Sequence, residues 1–344
     1  MEIGWQWKGA EQGHCNTRRI PPDLEAKAQQ HENGVASLPS QQQGSQTCAE
    51  SQLQQQNPAL LLRDKYLGVT LDRSLTYRRH LESFRKKLTS RVALLRRLAG
   101  SSWGAEATTL RTATLALVHS TAEYCAPVWC RGAHTHLIDP IINDALRIVT
   151  VCLRPRPADN LSILAGIQPA ELRRRGATLS LGCRAMEPGH LLHSALPRPS
   201  GAAARRLISR HQFVPAAQQL ISFSDKNNIR AVQWADNQWN AEWADNPTRL
   251  RTSIPNTGTH TPGLTLPRRA WLRLNRLRTG VGRFRSCPYK WGMASSAACE
   301  CGAEQTVDHV VLHCPIHRLP HRLHGLMVLN DGATEWLVNT CPDI

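Results

Sequence analysis

Between Tyr77 and Ala99 six apolar residues, Leu81, Phe84, Leu88, Val92, Leu95 and Ala99, recur at spacings of three and four. That is the period of a helix with one buried stripe, and no strand can satisfy it. Gly100 follows as the expected C-cap. The other positions include Arg85, Lys86, Lys87, Arg91, Arg96 and Arg97, so the outer face is cationic, suited to phosphates and equally to water. A second helix is predicted from Ala105 to His119 through Ala107, Leu110, Thr114, Leu117 and Val118, with further helical patterns at 137–152 and 169–186. Pro169 sits near a first turn, where its missing N–H costs nothing. The predicted fold class is mainly α.

Upstream, Tyr66-Leu67-Gly68-Val69-Thr70-Leu71 reads as a short strand closed by Asp72-Arg73-Ser74. The folded region is expected to begin at Lys65, because residues 1–64 hold twelve Gln and no apolar periodicity, the composition of a disordered leader. Charge changes at the same boundary. The leader has 5 Lys/Arg against 7 Asp/Glu, leaving 37 against 19, a surplus of +18, for the remainder. Such a surplus favours a polyanionic partner through counterion release. No apolar run reaches membrane-spanning length. The eleven cysteines are scattered, which fits reduced thiols in the nucleus or cytoplasm.

Residues 187–262 are interrupted by Pro188-Gly189, Pro197-Arg198-Pro199 and Pro255-Asn256 and read as a linker with local helices near 203–222 and 228–246. Trp234, Trp239 and Trp243 within it mark a packed helix face in preference to a stacking platform. From Arg268 to Arg285 the chain carries seven arginines in eighteen residues: Arg268, Arg269, Arg273, Arg276, Arg278, Arg283 and Arg285. Trp271 and Phe284 are interleaved, Leu272, Leu274 and Leu277 can anchor the segment, and Gly280 and Gly282 end it. Forked guanidinium donors and aromatic faces make this the first candidate for phosphates and unpaired bases. A surface helix docked through its leucines is the alternative.

In Cys299-Glu300-Cys301-Gly302 the second cysteine is followed after seven residues by His309 and after four more by Cys314. This is the density of soft ligands a tetrahedral zinc requires. Three thiolates and one imidazole close the coordination sphere, so the expected metal is structural, with no position left to activate water. His313 and His317 are alternative ligands.

Three blocks occur in a recognisable order. Tyr66-Leu67-Gly68-Val69-Thr70-Leu71-Asp72, the basic helix around Arg85-Lys86-Lys87-Leu88, and Ala122-Glu123-Tyr124-Cys125-Ala126-Pro127-Val128-Trp129 resemble the stretch after the polymerase active site in LINE-type, non-LTR retrotransposon reverse transcriptases. Arg276-Leu277-Arg278-Thr279-Gly280 with Cys299, Cys301, Thr306, His309 and Cys314-Pro315 resembles the zinc knuckle at the C-terminus of the same proteins. The resemblance spans roughly 65–344. With the leader over 1–64 and the linker over 187–262 read from composition, it gives four parts, the other two being the end of a palm with a thumb-like helical region over 65–186 and an arginine-rich helix with a CCHC zinc knuckle over 263–344. It also implies that the thumb helix holds template and primer. A thumb without its palm leaves Leu67, Val69 and the apolar face of the long helix short of a partner.

Polymerases of this family hold two Mg²⁺ ions on a Tyr/Phe-x-Asp-Asp motif. This sequence contains no such motif, and before the first block only Asp23 and the isolated Asp64 occur. The expectation is therefore a non-catalytic fragment with no catalytic residues and no Mg²⁺ site. It would bind RNA or single-stranded DNA through Arg85, Lys86, Lys87, Arg91 and the seven arginines of 268–285. A zinc-stabilised protein-interaction module, or a translated relic without selected function, are the other readings, and no membrane partner is expected.

Overall fold

Asp72 sets the entry to the first long helix. Its carboxylate accepts from the Thr76 backbone N–H and hydroxyl, both at 2.7 Å, and α1 (Arg78–Leu98) starts two residues later. In this computed structural model the described residues are 65–72, 74–100, 102–154, 158–196, 213–227, 231–257 and 261–344. The leader expected to be disordered lies outside them.

The first block is a hairpin rather than the single strand its pattern suggests. β1 (Lys65–Tyr66) pairs antiparallel with β2 (Val69–Thr70), and the turn residues Leu67 and Gly68 have φ of 46° and 83°. Two successive positive φ values give the turn hand that matches strand twist. A Cβ on Gly68 would stand 3.2 Å from the Tyr124 ring, whose hydroxyl donates to the Leu67 carbonyl at 2.8 Å.

The apolar stripe of α1 does not lack a cover, contrary to expectation. Leu81, Leu88 and Leu95 are fully buried against α2 (Ala107–Thr114) and α4 (Asp139–Thr150), with α3 (Ala126–Trp129) between them in the chain. Val69 is buried too, whereas Tyr66 and Leu67 remain 69% and 72% exposed. α1 stops one residue before the expected cap: Ala99 turns extended, and Ala99 and Gly104 form a bridge that leads to α2. α2 continues through a π-helical stretch, Leu115–His119, into Ser120–Ala122. Arg91, expected on the cationic face, is half-buried and donates to the Leu117 carbonyl at 2.6 Å and to the Thr121 hydroxyl. It clamps α1 to the widened turn, where the helical ladder is disturbed.

A second core forms where a linker was expected. α5 (Ala158–Ala165), α6 (Ala170–Ala185), α7 (Phe213–Asn227), α8 (Ala231–Ala244) and α9 (Arg249–Ser253) share it. α7 and α8 both pack on α6. Trp234, Trp239 and Trp243 are buried there, and the Trp243 indole donates to the Ile254 carbonyl at 2.8 Å. The third core gathers around α10 (Arg268–Thr279), with α11 (Ser286–Lys290), α12 (His324–Met327), α13 (Asp331–Glu335) and two π-helical stretches, His309–His313 and Trp336–Thr340. The described chain is thus helical in all three cores. None of its helices is long and apolar enough to cross a membrane.

Candidate metal centre and cationic cleft

The ligand atoms of Cys299, Cys301, His309 and Cys314 all lie within 4.8 Å of one another. Cys299 and Cys314 sulfurs are 3.8 Å apart, and Cys301 Sγ is 3.1 Å from His309 Nε2. A tetrahedron with Zn–S of about 2.3 Å has S–S edges of about 3.8 Å, so the four donors already surround a point of the right size. Backbone geometry explains the convergence. Cys299 N–H donates to Ala303 at 2.7 Å and Gly302 N–H to Cys299 at 2.9 Å, closing a tight turn in which Gly302 has φ 89°. Thr306 accepts from the His309 N–H at 3.1 Å, and the π-helical turn places Cys314 N–H on the His309 carbonyl at 2.7 Å. Val310 and Val311, buried in the third core, anchor this half of the site.

The alternative ligands stand outside this group. His313 is exposed. His317 meets Glu300 at 3.0 Å while its backbone N–H donates to the Cys314 sulfur at 3.2 Å, an interaction that supports a thiolate. Three soft sulfurs and one imidazole suit zinc.

Six of the seven arginines of 268–285 divide into two sets. Arg268, Arg273 and Arg278 are buried and turned inward. Arg268 donates to the carbonyls of Gly100 (3.2 Å), Val149 (3.2 Å) and Ile148 (2.5 Å). Arg273 takes those of Leu337 (2.8 Å) and Val338 (3.0 Å), and Arg278 takes Leu326 (2.8 and 3.1 Å) and Pro262 (2.8 Å). Ile148 and Val149 end α4, Leu326 lies in α12, and Leu337 and Val338 lie in the last π-helical stretch. Carbonyls near helix C-termini lack intrahelical partners and carry negative potential, so the fork-shaped donors serve as internal caps. Desolvation lowers the Arg268 pKa to about 10 and that of Arg278 to about 9, leaving both charged at neutral pH. These side chains are engaged by the protein itself, Arg273 also by Asp343 at 3.0 Å, and Arg268 and Arg273 only border the cleft that the other set faces. Trp271 and Phe284, at 0% and 1% exposure, are unavailable to bases.

The outward set borders an open cleft of about 820 Å³. Arg269, Arg276 and Arg283 face it from the arginine-rich segment, Arg96 from α1, and Arg147 and Arg154 from α4 and beyond. Among the described residues its lining sets these six arginines, with the buried Arg268 and Arg273 behind them, against two aspartates, Asp144 and Asp343. Asp144 meets Arg96 at 3.4 Å and Arg147 at 3.8 Å, and Asp343 meets Arg269 at 2.6 Å. Burial, then repulsion from Arg283, lowers the Arg276 pKa. Arg147 and Arg154 escaped sequence reading because neither sits in an arginine-dense run. Arg85, Lys86 and Lys87 are exposed on α1, and none of the three lines this cleft. Arg285 lies apart from the cleft, donating to Ala298 at 2.9 Å beside the Cys299 turn.

No family model matches the chain, and no solved structure matches it. Two curated relatives do. The chain is 22% identical over 285 residues to a putative 115 kDa protein in the type-1 retrotransposable element R1DM of Drosophila melanogaster, covering 79% of this chain and 25% of that protein. It is 23% identical over 290 residues to a retrovirus-related Pol polyprotein from the type-1 retrotransposable element R1 of Bradysia coprophila, covering 79% and 26%. The chain therefore spans about a quarter of the length of these relatives. Three motif blocks in order, a converged Cys-Cys-His-Cys group and similarity to R1 proteins over most of its length make this a protein derived from a LINE-type, non-LTR retrotransposon.

Proposed function

We propose that this chain is a non-catalytic, zinc-stabilised fragment of a retrotransposon reverse transcriptase that binds RNA or single-stranded DNA. The cleft carries the reading: arginines from three separated stretches face one open space whose described lining holds two aspartates, the arrangement that a phosphodiester chain neutralises by counterion release. One relative is a retrovirus-related Pol polyprotein, and a nucleic-acid ligand for this chain is in keeping with that kinship. The absence of a Tyr/Phe-x-Asp-Asp motif from the sequence supports the non-catalytic part. The closed Cys299, Cys301, His309 and Cys314 set supports a metal that holds the knuckle in place of one that activates water. Nucleus or cytoplasm, where thiols stay reduced, is the compartment that suits it.

The test is salt dependence of single-strand binding by the full chain, purified with its metal. Affinity is expected to fall steeply as salt rises, and changing Arg96, Arg154 and Arg283 together to Ala should flatten the slope by roughly 2, near 0.7 for each phosphate no longer neutralised. The same preparation should hold about one zinc, absent from Cys301→Ser and His309→Ala. Arg273 and Arg278 are unsuited to this test, since replacing them removes internal caps. Flat salt dependence would sink the reading. Exposed Tyr66 and Leu67 favour the second reading, a protein partner, whose binding would survive removal of the cleft arginines.

A further inference from the structure

Trp103 is 61% exposed, and its neighbours Gly100 and Ser102 line the arginine cleft. An exposed indole at the edge of a cationic cleft carries apolar area that folding has left uncovered. Its position is fixed. Gly100 N–H donates to the Trp103 carbonyl and Ala105 N–H to the Leu98 carbonyl, both at 3.0 Å, and Ala99 and Gly104 form a bridge. The five-membered ring of the indole lies against Gly100: a Cβ there would fall 2.3 Å from Nε1, 2.7 Å from Cε2 and 2.9 Å from Cδ1. Arg268, buried and tied to Ile148 and Val149, donates to the Gly100 carbonyl at 3.2 Å. The turn that carries the ring is therefore tied to the base of α4 through the same guanidinium.

Resting on the nucleic-acid reading above, we propose that Trp103 is a stacking platform for an unpaired base of a single strand whose phosphates follow the arginine cleft. The ring and the arginines supply the two elements that single-strand binding needs, a π-face for a base and cations for its backbone. A duplex keeps its base faces inside the stack and cannot use the platform. Gly100 is a positioning residue, because any side chain there pushes the indole from its place.

The test compares a short single-stranded oligonucleotide with its duplex on the full chain, at several salt concentrations. Trp103→Ala should weaken single-strand binding about tenfold while leaving the salt slope and duplex affinity unchanged. Trp103→Phe should retain most of the affinity. Gly100→Ala should reproduce the weakening with Trp103 still present. Trp291→Ala, at another exposed tryptophan (58%) outside the cleft, should change binding less than about twofold. Unchanged single-strand affinity in Trp103→Ala, with a steep slope retained, overturns the platform and leaves the phosphate reading standing. Equal weakening for single strand and duplex also overturns it. A flat slope in the unaltered chain overturns both.

Discussion

α1 and α10 look alike in sequence, each interleaving arginines with leucines at helical spacing, yet they use their charge in opposite ways. On α1 Arg85, Lys86, Lys87, Arg96 and Arg97 are exposed. On α10 Arg268, Arg273 and Arg278 are 5%, 5% and 0% exposed. α1 has a partner on one side only, whereas α10 is covered nearly all round and meets three helix ends. A buried guanidinium is tolerable where carbonyls without helical partners converge on it, because each N–H then replaces a lost water. Arginine density therefore reports either a ligand surface or a set of internal caps, and only the surroundings tell which.

The largest effect should separate the two helices directly. Arg278→Met strands the carbonyls of Leu326 and Pro262 and is expected to cost about 3 kcal/mol or more, read as a lower denaturant midpoint by circular dichroism. Arg278→Lys should recover little, since a point charge cannot span the fork. Arg85→Met should leave the midpoint in place. Equal midpoints for Arg278→Met and the unaltered chain would break the comparison.

A third kind of arginine sharpens it further. Arg173 holds a carboxylate instead of carbonyls, with two bonds to Glu123 at 2.5 and 2.8 Å, and His119 adds a third bond at 2.9 Å. Burial pushes the Glu123 pKa up, but these hydrogen bonds and charges outweigh it and bring it to about 2. The unfolded chain takes up this proton first, so the stability is complete above about pH 4.5 and is lost as pH falls through 2, on the order of 3 kcal/mol in all. His80 acts in the same direction at higher pH. Burial, then the nearby Lys87, lowers its pKa to about 4, and its Nδ1 accepts from the Thr70 N–H at 3.3 Å, so its share is complete above about pH 6.5 and is lost as pH falls through 4. Acid titration of stability should show both windows. Arg173→Met should shrink the lower one and Arg278→Met should not, because carbonyls do not titrate. An unchanged lower window in Arg173→Met would refute the assignment.

The sequence disclosed what periodicity and ligand spacing can disclose. Leu81, Leu88 and Leu95 are buried as their spacing requires, the 139–150 and 170–185 helices fall inside their predicted patterns, and Cys299, Cys301, His309 and Cys314 converge. Orientation on an all-round buried helix was hidden, because Arg268, Arg273 and Arg278 recur every five residues and share no face. α5 was missed for a related reason: Asn160 to Ala165 are all buried, so no polar stripe sets off an apolar one. Gly68 inside an apparent strand was the legible sign of the hairpin turn. Trp103 left no sign at all, since its proposed role comes from the fold bringing Arg96, Gly100 and Ser102 to the cleft that Arg269 and Arg276 of α10 also line.

The smallest effect decides whether the outward face of α1 belongs to the binding footprint. Arg85, Lys86 and Lys87 form no ion pair among the described residues, so changing all three to Ala should alter stability by no more than about 0.5 kcal/mol per site. Their effect should instead appear in binding. If phosphates extend from the cleft along α1, the slope of log affinity against log salt should flatten by roughly 2 for a single strand. The helix would then carry the same ligand as the cleft, on the side α10 lacks. An unchanged slope would make these three residues a solvated face and confine binding to the arginines that Asp144 and Asp343 partly neutralise.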